Sequence, residues 1–299
     1  MRPSLGTFLR RARRLGLTSP LSSLRRHLPK STAPKHVKID DEERQLHDYH
    51  LDPLPTPFTR TMNLLFLILL SILVLVFLIL YTIYKPPNFI IRWFQWKYPT
   101  VLFHVPLPAS QRVIALTLDD APSDETDKIL DVLKTYNAKA TFFVIGSHIP
   151  HNEALLKRIH DEGHEIGNHM WNDEPTINVP LEDLRPQIAK VENLLLANKD
   201  GAKYFRPGSG WFSARMVGIV RSLGYKVVLG SVFPFDPEIP YPKINKWHVL
   251  SMVRPGAIVI LHENRPWSVE QLELILKGLT EKGWKVESVG GLLQAAKEP

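Results

Sequence analysis

Three regimes of hydrophobic patterning divide the chain. From Leu64 to Ile83 the run LLFLILLSILVLVFLILYTI holds 20 residues without a charge. At about 1.5 Å of rise per residue it matches a bilayer core roughly 30 Å thick, which predicts one membrane-spanning helix. A cleaved signal peptide fits badly, because the run starts deep in the chain, exceeds an h-region in length and lacks a small-residue cleavage site after it. Ahead of it, residues 1–62 show no apolar period and are punctuated by Pro20, Pro29, Pro34, Pro53, Pro55 and Pro57, the pattern of a disordered tail. Behind it, from Arg112 onward, short β-branched runs alternate with amphipathic segments. The runs fall at 112–118, 140–146, 164–169, 225–230, 257–262 and 285–289. Helical spacing falls at 126–136, 153–162, 181–197, 213–223, 246–253 and 269–282; the last carries Leu272, Ile275, Leu276 and Leu279 on one face. Strands alternating with helices of this length predict βα units and a mostly parallel sheet. Six or seven units in about 190 residues suggest a small or incomplete barrel, with its site at the C-terminal ends of the strands.

Charge adds an orientation. The net charge is +7, but residues 1–62 hold 12 Lys/Arg against 6 Asp/Glu, so +6 of it lies in the tail. That placement argues against a nucleic-acid partner for the folded part. It also follows the positive-inside rule: the tail is expected in the cytoplasm and the C-terminal domain on the lumenal or extracellular side, as in a type II protein. The Arg-rich first 30 residues have the look of a mitochondrial presequence, yet the long apolar run behind them argues for a signal anchor. Tyr81, Tyr84, Trp93, Phe94 and Trp96 supply an aromatic belt at the far interface. The expected organisation is a basic cytoplasmic tail at 1–62, a transmembrane anchor at 63–84 in contact with membrane lipid, a Pro- and aromatic-rich stalk at 85–110 lying on the membrane surface, and a folded domain at 111–299. The chain has no cysteine, which excludes a disulfide framework, a Cys-ligated zinc and a thiol nucleophile.

Candidate chemistry gathers at the expected strand ends. The first strand runs into Thr117-Leu118-Asp119-Asp120-Ala121-Pro122. Two adjacent carboxylates there are costly unless paired or bound to a metal. Helix capping accounts for Ser123 or Asp124 but leaves Asp119 and Asp120 without a reason. The third strand ends in Gly163-His164-Glu165-Ile166-Gly167-Asn168-His169-Met170-Trp171-Asn172-Asp173. A zincin reading fails, since His164 and His169 stand five apart instead of four, on a strand that points His164 away from Glu165, Gly167 and His169. His169 and Asp173, four apart at the strand's exit, can converge on one ion.

Taken together, the Asp119-Asp120 motif, His169 to Asp173, Arg206-Pro207-Gly208-Ser209-Gly210-Trp211, Asp236-Pro237 and Ile258-Val259-Ile260-Leu261-His262 resemble the five ordered motifs of the polysaccharide deacetylase family, the NodB-homology domain. The resemblance runs from Arg112 to the C-terminus. It implies an α/β fold, a distorted (β/α)7 barrel of parallel strands. It also implies a divalent metal, zinc first and Mn2+ or Co2+ as alternatives, on Asp120, His169 and Asp173. Asp119 is then the general base, paired with Arg206, and His262 the general acid, oriented by Asp236. A backbone N–H near Gly208–Trp211 would serve the oxyanion. Departures from the family pattern are Asp173 in place of a second histidine, Met170 for Ser or Thr, Ala121 for glycine, Gly208-Ser209-Gly210 for a Pro-aromatic stretch and Pro237 for tryptophan. A fungal subgroup is similar in its Asp-Ala-Pro-Ser segment and in the acidic residue at the Asp173 position.

The expected reaction is removal of N-acetyl groups from N-acetylglucosamine units of a chitin-like polysaccharide or oligosaccharide. Cleavage of O-acetyl esters and catalytically silent sugar binding are the alternatives. A serine hydrolase built on Ser209, Asp236 and His262 lacks the glycine that a nucleophile elbow places two residues before its serine. A type II glycosyltransferase would share the topology, but no Asp-x-Asp occurs in the chain.

Overall fold

The computed structural model describes residues 57–298, so the expected tail lies outside the described residues up to 56. The chain divides into two units, 1–62 and 63–299. The first helix, α1 (Pro57–Tyr84), buries none of its side chains and is the one helix among the described residues long and apolar enough to cross a membrane.

The centre of the domain is β2 (Val113–Ala121), in which every residue after Val113 is buried. A strand covered on both faces reads as a continuous apolar run, and Ile114 to Leu118 is one, broken only by Thr117. The other strands are β1 (Val101–Leu102), β3 (Ala140–Val144), β4 (Glu165–Asn168), β5 (Lys203–Phe205), β6 (Tyr225–Val228), β7 (Ile258–His262) and β8 (Lys285–Glu287). They form one sheet in the order β1-β6-β5-β4-β3-β2-β7, with β8 beside the start of β2, and every strand pair is parallel. Single bridges, His104 to Ala257 and Val232 to Val259, join the two ends of this path. The result is the distorted (β/α)7 barrel, closed at one seam by bridges instead of a full ladder.

Helices α3 (Thr126–Thr135), α4 (Glu153–Asp161), α5 (Leu181–Glu192), α6 (Ala214–Ser222), α7 (Pro242–Met252) and α8 (Ser268–Glu281) alternate with the strands, while α2 (Asn88–Lys97) precedes β1 and α9 (Val289–Ala295) follows β8. Leu272, Ile275, Leu276 and Leu279 of α8 pack with Ile129, Leu130 and Leu133 of α3 in the largest core cluster. Each such leucine contributes about 1.5–3 kcal/mol by leaving water. A separate cluster joins Ala115, Phe143, Tyr204, Val228 and Ile258, one from each of five strands, with Val289 and Leu292 of α9. That helix thus stoppers the barrel opposite the strand ends that carry the chemistry. At Gly167 a Cβ would stand 2.6 Å from the Phe143 ring, so only glycine lets this ring fill the interior.

Among the differences from the sequence pattern, two bear on the layout of the domain. The helix expected over 181–197 stops at Glu192, because Asn198 turns back onto β4, accepting from Ile166 N at 2.8 Å and donating to Ile166 O at 2.9 Å. The stretch 85–110, expected as a stalk, holds α2 and β1, and Val101, Phe103 and Val105 are buried. This part of it packs into the domain instead of standing off it.

Candidate active site

The C-terminal rim of the barrel gathers side chains from β2, the exits of β4 and β5, the loop after β6, and β7. In a regular strand neighbouring side chains point to opposite faces. Thr117 and Asp119 share the interior face of β2; Asp120 should point away. A register shift between Leu118 and Ala121, with Asp120 at φ 68°, breaks that alternation. Both carboxylates consequently reach His169, whose Nε2 lies 3.9 Å from Asp119 Oδ2 and 3.9 Å from Asp120 Oδ1.

Arg206, just beyond β5, is the most heavily bonded cation of the site. Its guanidinium donates to Asp119 Oδ1 at 2.5 Å, Thr117 Oγ1 at 2.7 Å, Val228 O at 3.1 Å and Leu229 O at 3.0 Å. It stacks 4.1 Å from the centre of the Phe143 ring. Burial alone would raise the pKa of Asp119; the charge of Arg206, followed by those of His169 and His262, overrules it and holds this carboxyl below its ordinary range. Oδ1 is thereby occupied, while Oδ2 faces two imidazoles: His262 Nε2 also stands 3.9 Å from it.

His262 is fixed from behind. Asp236, 1% exposed, accepts from the His262 backbone N–H at 2.8 Å and lies 3.0 Å from its Nδ1. Burial works to lower the pKa of His262, but the Asp236 carboxylate, then Asp119 and Asp120, raise it to about 9. Asp236 is itself held by Gln271 Nε2 at 3.0 Å, and its backbone carbonyl accepts from Trp267 Nε1 at 3.1 Å.

Imidazole and carboxylate are the donor types that a divalent cation takes. His169 Nδ1 lies 2.8 Å from Arg206 O, which turns its Nε2 toward Asp119 and Asp120. A ring nitrogen tied to a carbonyl, with its partner nitrogen aimed between carboxylates, is the arrangement of a metal-binding histidine. Imidazole with carboxylate oxygens suits zinc, manganese or cobalt. Asp173 stands apart: it is exposed, and its charge raises the pKa of Asp120, an effect smaller than that of burial. Among the described residues no three His, Asp or Glu side chains are drawn together closely enough to hold an ion.

Several features of the rim escaped the sequence reading. Arg265 Nη2 reaches Asp120 Oδ2 at 3.3 Å. Glu263, fully buried, accepts from Ser123 Oγ at 2.9 Å and Thr126 Oγ1 at 2.5 Å, and burial pushes its pKa up to about 7. Glu263 directly follows His262, the only signal the sequence offered for it. Near the expected oxyanion site, the Gly208 N–H is spent on Thr176 Oγ1 at 2.7 Å and the Gly210 N–H on Pro207 O at 3.0 Å. Ser209 and Trp211 are left as the backbone donors of that turn. His164, excluded above as a ligand, is buried with its Nδ1 3.2 Å from the Ala140 N–H; desolvation lowers its pKa to about 3, so it serves as a neutral acceptor.

Comparison with known proteins gives the family. The family model for polysaccharide deacetylases matches residues 107–228. A peptidoglycan-N-acetylglucosamine deacetylase of Bacillus cereus is 33% identical over 204 residues, covering 63% of this chain and 91% of the relative. A peptidoglycan-N-acetylmuramic acid deacetylase of Bacillus subtilis is 31% identical over 189 residues, 61% of this chain and 72% of the relative. Among solved structures, a peptidoglycan N-acetylglucosamine deacetylase in complex with 4-naphthalen-1-yl-N-oxidanyl-benzamide superposes with a TM-score of 0.61 at 30% identity, over 69% of this chain and 99% of that one. A CE4 family pseudoenzyme from Bacillus anthracis gives 0.58 at 27% identity, over 64% and 68%. With its barrel, its rim residues and relatives matched over most of their length, the chain belongs to the polysaccharide deacetylase family.

Proposed function

We propose that the protein is a metal-dependent hydrolase that removes N-acetyl groups from N-acetylglucosamine units of a polysaccharide or oligosaccharide. The observation that carries this reading is Asp119, with one oxygen locked on Arg206 and the other 3.9 Å from both His169 and His262. Asp120 and His169, joined by Asp173, would hold the ion, zinc first. A bound divalent ion polarises an acetyl carbonyl and acidifies water. Asp119, kept ionised, takes the proton of the attacking water at Oδ2. His262, kept protonated by Asp236, gives a proton from Nε2 to the amide nitrogen as the C–N bond breaks. The products are acetate and a free amine. An amide nitrogen leaves only once protonated, and His262, its pKa raised chiefly by Asp236, is placed to supply that proton. The Ser209 or Trp211 N–H is the donor for the oxyanion.

The same reading places α1 across a membrane, with the basic residues of 1–62 on the cytoplasmic side and the barrel on the lumenal or extracellular side. Acetate release from chitooligosaccharides and from peptidoglycan fragments, by the full chain in detergent, tests the activity. Release that a chelator or an N-hydroxybenzamide abolishes supports it. A second reading, silent sugar binding, draws on the exposed position of Asp173 and the likeness to a pseudoenzyme. A folded chain that binds sugar but releases no acetate with zinc, manganese or cobalt would establish that instead.

A further inference from the structure

Two helices beside the end of α1 carry large apolar side chains that the barrel does not cover. On α2, Phe89, Trp93 and Trp96 are 70%, 46% and 77% exposed, while Ile91 on the other face is buried. On α7 and its N-cap, Tyr241, Ile244 and Trp247 are 60%, 45% and 58% exposed, while Asn245, His248 and Val249 are buried. Their spacings, i, i+4, i+7 and i, i+3, i+6, draw one stripe along each helix.

Both stripes flank the point where α1 ends. Tyr84, its last residue, packs edge-on against His248 with ring centres 4.4 Å apart, and Lys85 lies 3.8 Å over the Trp247 ring. Only Lys85, Pro86 and Pro87 separate α1 from α2, a reach of about 10 Å at most. The rim of the patch is basic, with Lys85, Arg92, Lys97 and Lys243, and neither helix contains a carboxylate. Tryptophan and phenylalanine beside lysine and arginine, next to a spanning segment, match the headgroup layer of an anionic bilayer.

We propose that the α2–α7 face is seated in the outer interface of the membrane that α1 crosses, so that the barrel lies on the bilayer instead of standing away from it. The occupant is phospholipid, and the inference rests on the reading of α1 as a membrane span. Ring contacts of 5.8 Å from Tyr84 to Phe235, 4.5 Å from Phe235 to Phe233 and 5.6 Å from Phe233 to His262 lead from the end of α1 to the catalytic rim.

The absence of native cysteine makes the test direct. The full chain, reconstituted in vesicles of three parts phosphatidylcholine to one part phosphatidylglycerol, carries a nitroxide at one of four exposed positions: Trp96→Cys, Ile244→Cys, Leu75→Cys or Lys199→Cys. Relative accessibility to oxygen and to a water-soluble nickel chelate gives the depth of each. Position 75 should read deepest and 199 as water, with 96 and 244 about 5–10 Å into the headgroup and acyl boundary. Water-like values at 96 and 244, with 75 still deep, would overturn the docking and leave the span intact. A water-like value at 75 would remove the span, and the docking with it.

Discussion

The two halves of the rim are built on different principles. The β7 side is a closed net of protein hydrogen bonds: Asp236 meets the backbone and ring of His262 and the amide of Gln271, and Trp267 holds Asp236 from behind. On the β4 side, Asp119 and Asp120 of β2 bring two like charges to His169, each 3.9 Å from its Nε2, with Asp173 exposed beyond them. The first is pre-organised by the chain itself, so its proton chemistry is set by the fold. In the second only Asp119 is firmly held, by Arg206; Asp120 meets Arg265 at 3.3 Å and is repelled by its neighbour, so its final geometry depends on what neutralises it. Proton handling is thus a property of the polypeptide, and cation handling a property of polypeptide and ion together.

That contrast can be broken by substitution. Asp119→Asn removes the proposed base while preserving shape, and acetate release should fall by about 10²–10⁴-fold with the fold intact. Arg206→Ala leaves the buried Asp119 charge unpaired and should lower unfolding free energy by about 3–5 kcal/mol, read from denaturant curves. A loss of less than half that would mean the two halves are less coupled through Asp119 than the geometry implies. Asp173→Ala separates the halves: zinc affinity by titration calorimetry should drop about 10–100-fold, while the ionisation of His262 stays where it was. Unchanged zinc affinity would remove Asp173 from the site.

A gentler probe addresses the β7 side alone. His262 has its pKa raised from 6.5 to about 9 in the fold. A raised cationic group stabilises fully below its unfolded value and ceases to do so as pH rises through its folded one. The contribution of His262 is therefore complete below about pH 6.5 and gone above about pH 9, and activity should fall over the same upper limb. Asp236→Asn should move that limb down toward 6.5, visible in the pH profile of kcat/KM. The smallest effect belongs to Arg265→Ala. Freed from its 3.3 Å partner, Asp120 should take up zinc a few-fold more tightly in the same calorimetric titration.

Legibility in the sequence followed the length of each element. β2, β3 and β7 stood out because each is five to nine residues long and mostly buried, which prints a long apolar run. β5 is three residues and β1 two, too short for any period, and β1 fell inside the stretch expected as a stalk. Site residues were readable where they sit in ordered motifs at strand ends. Glu263, Arg265 and Gln271 were not, since their roles come from contacts across the fold: Gln271 reaches Asp236 over a sequence separation of 35. The availability of backbone donors near Gly208 was equally hidden, because it turns on a side chain, Thr176, from another loop.

The same turn has a consequence for how such a site can change over generations. A Cβ on Gly208 would stand 2.1 Å from the carbonyl oxygen of Glu174, so the loops leaving β4 and β5 touch backbone to backbone with no side chain between them. Neither loop can be lengthened or reshaped alone, because one holds Asp173 and the other the free N–H groups of Ser209 and Trp211, and they share this joint. Divergence toward a new sugar should therefore appear as paired change on both sides of it, inherited together.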